Sequence, residues 1–112
     1  MKYETAERDG VTIVRVDEER ATILQGVEEF KKALLDIIER GHINILVDMS
    51  KVEFADSSML GALVSALKML TRKRGDLKIL GLKPPVRAIF ELTRLYRVFE
   101  IFEAEEDAIA SF

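Results

Sequence analysis

Residues 43–49, which read INILVDM, constrain the fold of this chain more than any other stretch. Their apolar side chains are nearly continuous instead of alternating, which is typical of a strand covered on both faces in a parallel sheet. Parallel neighbours need crossover connections, and these are usually helices packed against the sheet. We therefore expect an α/β domain in which helices separate the central strands.

Two helices are predicted on either side of this strand. The first spans residues 26–40 and is followed by Gly41, a residue type that commonly stands just past a helix end. The second follows residue 56 and ends in cations at residues 72–74, which complement the negative end of a helix dipole. Apolar residues at helical spacing form the buried stripes of the two helices: Val27, Phe30, Leu34, Ile37 and Ile38 in the first, and Leu60, Leu63, Val64, Leu67 and Leu70 in the second.

Shorter patterns complete the predicted architecture. Asp9-Gly10 separates two strand-like runs and predicts an antiparallel hairpin at the N-terminus. Residues 77–82 predict another strand, a proline pair at residues 84–85 opens a third helix, and residues 98–102 and 105–112 predict a last strand and a closing helix. The order β-β-α-β-α-β-α-β-α predicts one domain over residues 1–112, with a mixed, mostly parallel sheet and about four helices.

Composition excludes several function classes. The chain has 20 acidic and 17 basic residues and a net charge of -3, which offers no electrostatic footprint for nucleic acid. It has no cysteine, so disulfides and thiolate chemistry are excluded. No uninterrupted apolar run approaches the ~20 residues needed to span a bilayer. We expect a soluble, cytoplasmic protein that binds neither nucleic acid nor membranes directly.

Candidate catalytic residues are scarce. The only histidine, His42, stands between a helix-ending glycine and a strand, a position more typical of a solvated loop residue than of a general base. There is no phosphate-binding glycine loop and no metal-ligand spacing, so we expect no enzyme activity, cofactor or metal. Asp48 ends the central strand, where it either caps a turn near Ser50 or accepts a phosphoryl group with help from the acids at residues 17–19.

The stretch FADSSMLGALVSALKML at residues 54–70 places three polar side chains, Asp56, Ser57 and Ser58, in front of a helix. Only one of them can be the N-cap, although all three are suitable residue types. Free N–H groups and the helix dipole also favour an anion there. A phosphoserine at this position would change the surface, through its added charge, far more than the fold.

A second apolar line runs beside the main stripe of this helix and consists of Met59, Ala62, Ala66 and Met69. It makes the apolar face wider than a single contact with the sheet requires. Methionine side chains are pliable and recur at binding surfaces, although for at least one of these two core packing is the commoner role. We therefore expect this line, together with Asp56, Ser57 and Ser58, to form a docking surface for a protein partner.

The segment ILVDMSKVEFADSSMLGALVSALK at residues 45–68 resembles the STAS domains, and among them the bacterial anti-sigma factor antagonists. The motif positions that support the resemblance are Asp48, Ser50, Leu60 and Gly61, together with the Asp-Ser-Ser run. The likeness continues through residues 75–112, with a helix after a short strand and an acid-rich, Ala-Ile ending. Where the family pattern has a glycine, this chain has Met59, which we expect to place side-chain bulk next to the acceptor.

The resemblance implies a non-enzymatic protein, a monomer or weak dimer, that is bound by an anti-sigma factor serine kinase. It implies phosphorylation at Ser57, with Ser58 as second choice, and positioning of the loop by Asp56. The unmodified form would capture the kinase and free the sigma factor, and a serine phosphatase would reset the cycle. Two alternatives stay open: an unphosphorylated interaction or ligand-binding module of a larger sensory assembly, and a receiver-like phosphoacceptor at Asp48.

Overall fold

The alternation of strands and helices follows the predicted order in the computed structural model, which describes all 112 residues. Two very short strands and two 3-10 turns, at Ile23–Gln25 and Leu95–Arg97, are additional to the prediction. The strands are β1 (Tyr3–Arg8), β2 (Val11–Val16), β3 (Arg20–Ala21), β4 (Asn44–Asp48), β5 (Phe54–Ala55), β6 (Asp76–Leu80) and β7 (Ile101–Phe102), and the helices are α1 (Val27–Glu39), α2 (Ser57–Arg72), α3 (Pro84–Leu92) and α4 (Glu105–Ala110).

The main sheet has five strands in the order β1-β2-β4-β6-β7. β1 and β2 pair antiparallel across a turn in which Asp9 and Gly10 have φ angles of 52° and 80°, so the predicted hairpin is confirmed. The other neighbours are parallel, which confirms the mixed α/β fold class. The last strand is shorter than predicted, because the turn at Leu95–Arg97 continues into residues 98–99.

A separate parallel pair, β3 with β5, was not predicted. Strands of two residues are too short to show an alternating pattern, so the sequence gives no signal for them. Backbone N–H groups of Glu53 and Phe54 donate to the carbonyl of Glu19, and the Asp56 N–H donates to the carbonyl of Ala21. This pair therefore holds the segment before α1 against the loop before α2.

The core lies mainly between the sheet and α1, α2 and α3. Phe30, Leu63 and Phe90, one from each of these helices, are all fully or almost fully buried. A smaller cluster covers the opposite face of the sheet, where Ala108 and Ile109 of α4 pack on β2, β4 and β6. None of the helices has the length and apolarity that a bilayer span requires.

Candidate functional site

Asp56 is the N-cap of α2, at the end of the sheet where the parallel strands finish. Its backbone is extended, with φ -97° and ψ 179°, and its carboxylate accepts a 3.2 Å hydrogen bond from the Met59 N–H. The Ser58 hydroxyl donates to the same carboxylate oxygen. An aspartate cap satisfies one of the free N–H groups of the first turn and places a negative charge at the positive end of the helix dipole.

The carboxylate of Asp56 also joins two segments that are far apart in the sequence. Its second oxygen accepts a 3.0 Å hydrogen bond from the Ile23 N–H, in the turn before α1. Desolvation raises the pKa of Asp56, but hydrogen bonds from the Ser58 hydroxyl and from the N–H groups of Ile23, Met59 and Ser58 together outweigh it and lower the pKa. The side chain is therefore a charged cap at neutral pH.

The two serines of the motif differ in accessibility. Ser57 is the first residue of α2 and its side chain is exposed. Ser58 is half-buried, and its hydroxyl is held by Asp56. Of the two hydroxyls, that of Ser57 is the more accessible to another macromolecule.

The predicted docking line on α2 is wrong for three of its four residues. Met59, Ala62 and Ala66 are completely or almost completely buried, and Met69 is partly buried against the same core. The physical reason is that α2 packs against α1 as well as against the sheet, so its wide apolar face has two neighbours inside the domain. The prediction that Met59 places bulk beside Ser57 is wrong for the same reason, since the Met59 side chain points into the core.

Asp48 serves as a turn cap, as one of the two sequence interpretations predicts. One carboxylate oxygen accepts a 2.9 Å hydrogen bond from the Ser50 N–H, and the other accepts a 3.0 Å hydrogen bond from Arg15. Arg15 also donates to Glu105 of α4 at 2.8 Å. Because both oxygens of Asp48 are already engaged, the geometry favours a structural role for it over the receiver-like phosphoacceptor.

Protonation of Glu105 is expected to destabilise the domain in acid. Hydrogen bonds from Arg15 lower the pKa of Glu105 below its usual value of 4.5; desolvation opposes the shift, and Arg8 adds to it. A carboxylate with a lowered folded-state pKa contributes stability above its unfolded pKa and loses that contribution as the pH falls towards the folded value. Glu105→Gln should cost roughly 1 kcal/mol in the free energy of unfolding at pH 7 and nothing at the acid end.

Urea unfolding of the parent and Glu105→Gln proteins between pH 7 and pH ~3 measures this difference. Glu106→Gln is the matched control, since the Glu106 side chain is 74% exposed and lies 3.7 Å from Arg8. The control should follow the parent at every pH. A constant gap between the parent and Glu105→Gln curves would contradict the assignment.

His42 makes contacts that the sequence did not indicate. It lies in the exposed loop before β4, as predicted, but its Nδ1 is 3.1 Å from the Thr12 hydroxyl and 3.0 Å from the Glu7 carboxylate. These residues belong to the hairpin strands β1 and β2. His42 therefore links its loop to the hairpin and takes no part in the region around Ser57.

The STAS domain model matches residues 2–108. The chain belongs to the STAS domain family. Two sequence relatives support this membership. The anti-sigma-B factor antagonist of Staphylococcus aureus is 31% identical over 80 residues, which make up 71% of this chain and 74% of that protein. BtrV of Bordetella bronchiseptica is 26% identical over 108 residues, which make up 91% of this chain and 93% of BtrV.

Solved STAS structures share the fold. A crystal structure from Thermotoga maritima has a TM-score of 0.88 and 25% identity, covering 97% of this chain and 92% of its own. The Bacillus cell fate determinant SpoIIAA, in its phosphorylated form, has a TM-score of 0.76 over 98% of both chains. Its 20% identity supports a common architecture and no more.

Proposed function

We propose that this protein is an anti-sigma factor antagonist whose binding to an anti-sigma factor serine kinase is switched off by phosphorylation of Ser57. The names of its relatives support the general role, and SpoIIAA, which has the same fold, is known in a phosphorylated form. The observation that carries the assignment to Ser57 is its exposure at the first position of α2, beside a Ser58 hydroxyl that is bound to Asp56.

The position of Ser57 explains how a phosphate would alter recognition without altering the fold. The start of α2 offers backbone N–H groups and the positive end of a helix dipole, which tolerate an anion. A kinase must bring the phosphates of ATP to the same hydroxyl. Once Ser57 carries about -1.5 to -2 charges of its own, those phosphates and the modified side chain repel each other and the complex is weakened.

The proposed cycle gives the protein a regulatory role. The unphosphorylated form occupies the kinase and frees the sigma factor, and the phosphorylated form releases the kinase. A serine phosphatase then restores the first form. The cycle belongs in the cytoplasm, where sigma factors act, and it needs no catalytic group on this chain.

Substitution of Ser57 tests the proposal. With the cognate anti-sigma factor kinase and ATP, Ser57→Ala should bind the kinase with nearly the parent affinity but incorporate no phosphate. Ser57→Asp should bind about tenfold more weakly, because a carboxylate imitates part of the phosphate charge. Binding is measured by calorimetry, and phosphate incorporation by intact-protein mass spectrometry.

Ser58→Ala is the matched control for the choice of hydroxyl. It should be phosphorylated at nearly the parent rate, with a modest loss of stability because Asp56 loses one hydrogen bond. Phosphate incorporation by the Ser57→Ala protein at the parent level would show that the acceptor is another residue. Equal kinase affinity of the Ser57→Asp and parent proteins would contradict the proposed switch.

A further inference from the structure

Three large apolar side chains near the loop before α2, which leads into Ser57, are exposed to solvent. Ile23 and Leu24, in the turn before α1, are 51% and 88% exposed, and Phe54, in β5, is 41% exposed. We call Ile23, Leu24 and Phe54 the apolar patch. Single exposed apolar residues are ordinary on a protein surface, but grouped ones mark interaction sites.

The backbone brings the apolar patch to Ser57. The pairing of β3 with β5 joins the segment before Ile23 to Phe54, and the Ile23 N–H donates to Asp56, the residue that precedes Ser57. The patch and the acceptor hydroxyl are thus built on the same hydrogen-bonded unit.

The surroundings of the apolar patch are acidic. Glu19, directly before β3, and Glu28 and Glu29, in the first turn of α1, are exposed, and none of them pairs with a lysine or arginine. We call these three residues the acidic rim. Two cations lie in the same region: Arg20, whose guanidinium carbon is 4.6 Å from the centroid of the Phe54 ring, and the N-terminal amine, which is close to Gly26 and Glu29. The three carboxylates of the rim form no salt bridge within the domain and are available to a basic partner.

We propose that the apolar patch and the acidic rim are the surface that holds the anti-sigma factor kinase, and that the matching surface of the kinase has apolar side chains flanked by lysine or arginine. This inference rests on the function proposed above. Apolar side chains at the centre of an interface supply most of the affinity, and complementary charges at its edge raise the association rate. Docking and switching are then separate, because the patch holds the kinase while Ser57 faces its nucleotide.

Two exposed leucines provide a matched test of the patch. Leu24 is 88% exposed in the patch, and Leu92 is 85% exposed at the end of α3, in the same segment as the exposed Tyr96 and Val98, so the pair compares the two groups of exposed apolar residues on this surface. Leu24→Ser and Leu92→Ser should both fold like the parent, because neither side chain belongs to the core. For the purified kinase that phosphorylates the parent, Leu24→Ser should raise Kd about tenfold, whereas Leu92→Ser should change it less than about twofold.

A second pair of variants tests the rim. Reversing both charges in Glu28→Lys/Glu29→Lys should lower the association rate with the same kinase about tenfold at low salt, and the difference should shrink as salt is added. Glu91→Lys, on the exposed side of α3, is the control and should leave the rate close to that of the parent. Stopped-flow fluorescence measures both rates.

The outcomes separate this inference from the proposed function. Equal effects of Leu24→Ser and Leu92→Ser on a kinase that still phosphorylates Ser57 overturn the docking surface alone. A kinase that loses affinity for Leu24→Ser but phosphorylates no Ser57 overturns the switch and supports the surface. If no anti-sigma factor kinase binds the parent protein, both the docking surface and the proposed function are overturned.

Discussion

Ala66→Asp is expected to lose about 3–5 kcal/mol of its free energy of unfolding at neutral pH. Ala66 lies in the middle of α2 and is fully buried in the main core, a cluster of apolar side chains. An unpaired buried charge costs about 3–5 kcal/mol, which is a large part of the roughly 5–15 kcal/mol by which a single domain is stable. Far-UV circular dichroism and urea unfolding measure the loss, and the difference from the parent should narrow in acid as the carboxyl becomes neutral.

Lys68→Asp is the matched control, because Lys68 lies two residues further along the same helix and is exposed. It introduces the same side chain and should change the free energy of unfolding by less than about 1 kcal/mol. An Ala66→Asp protein that folds as stably as the parent and loses only kinase binding would contradict the burial of this face. It would restore the docking line that the sequence predicted.

The apolar spacing of α2 predicts the helix but not the elements that cover its apolar face. The spacing of apolar residues in α2 correctly predicts a helix and a broad apolar face. It does not say how many elements cover that face. In the structure α2 packs against α1, which lies earlier in the chain, as well as against the sheet, and Met59, Ala62 and Ala66 are buried. A prediction from local pattern has no access to that helix-helix contact.

The sequence predicts an N-cap in the loop before α2, but it does not predict which residue is the cap. Asp and Ser are both favoured N-caps, so residue preferences leave Asp56, Ser57 and Ser58 equivalent. The extended backbone at Asp56 and its bond to Ile23, 33 positions earlier, single out the cap and leave the Ser57 side chain outside. This long-range bond also brings Leu24 to the site, and no local sequence signal predicts it.

Gly75→Ala is expected to lower the free energy of unfolding by about 1–3 kcal/mol. A Cβ built on Gly75 would lie 2.2 Å from the backbone carbonyl oxygen of Ile43, and that carbonyl also accepts the Asp76 N–H. The clash is therefore with backbone at the start of two paired strands. The left-handed residue at the end of α2 is Arg74, with φ 61°, so Gly75 is needed for close approach and not for a positive φ.

Gly61→Ala is the matched comparison and should have the opposite effect. Gly61 is exposed inside α2, and a Cβ there meets nothing within 4 Å, so alanine should stabilise the helix by about 1 kcal/mol. The urea midpoints of the two variants should shift in opposite directions from that of the parent. A loss of stability in Gly61→Ala would contradict the finding that a Cβ at residue 61 meets nothing.

The stabilisation expected for Gly61→Ala raises the question of why glycine stands there. Gly61 lies one turn after Ser57 and therefore on the same face of α2, where an added methyl group would project towards a kinase engaging that hydroxyl. On the proposed function, Gly61→Ala should bind the kinase more weakly while being more stable than the parent. Gly75→Ala, beyond the C-terminal end of α2, should lose stability and keep the kinase affinity of its folded fraction. The proposed kinase therefore explains why residue 61 is glycine although alanine would stabilise the helix. The kinase would occupy the space that the alanine methyl group fills.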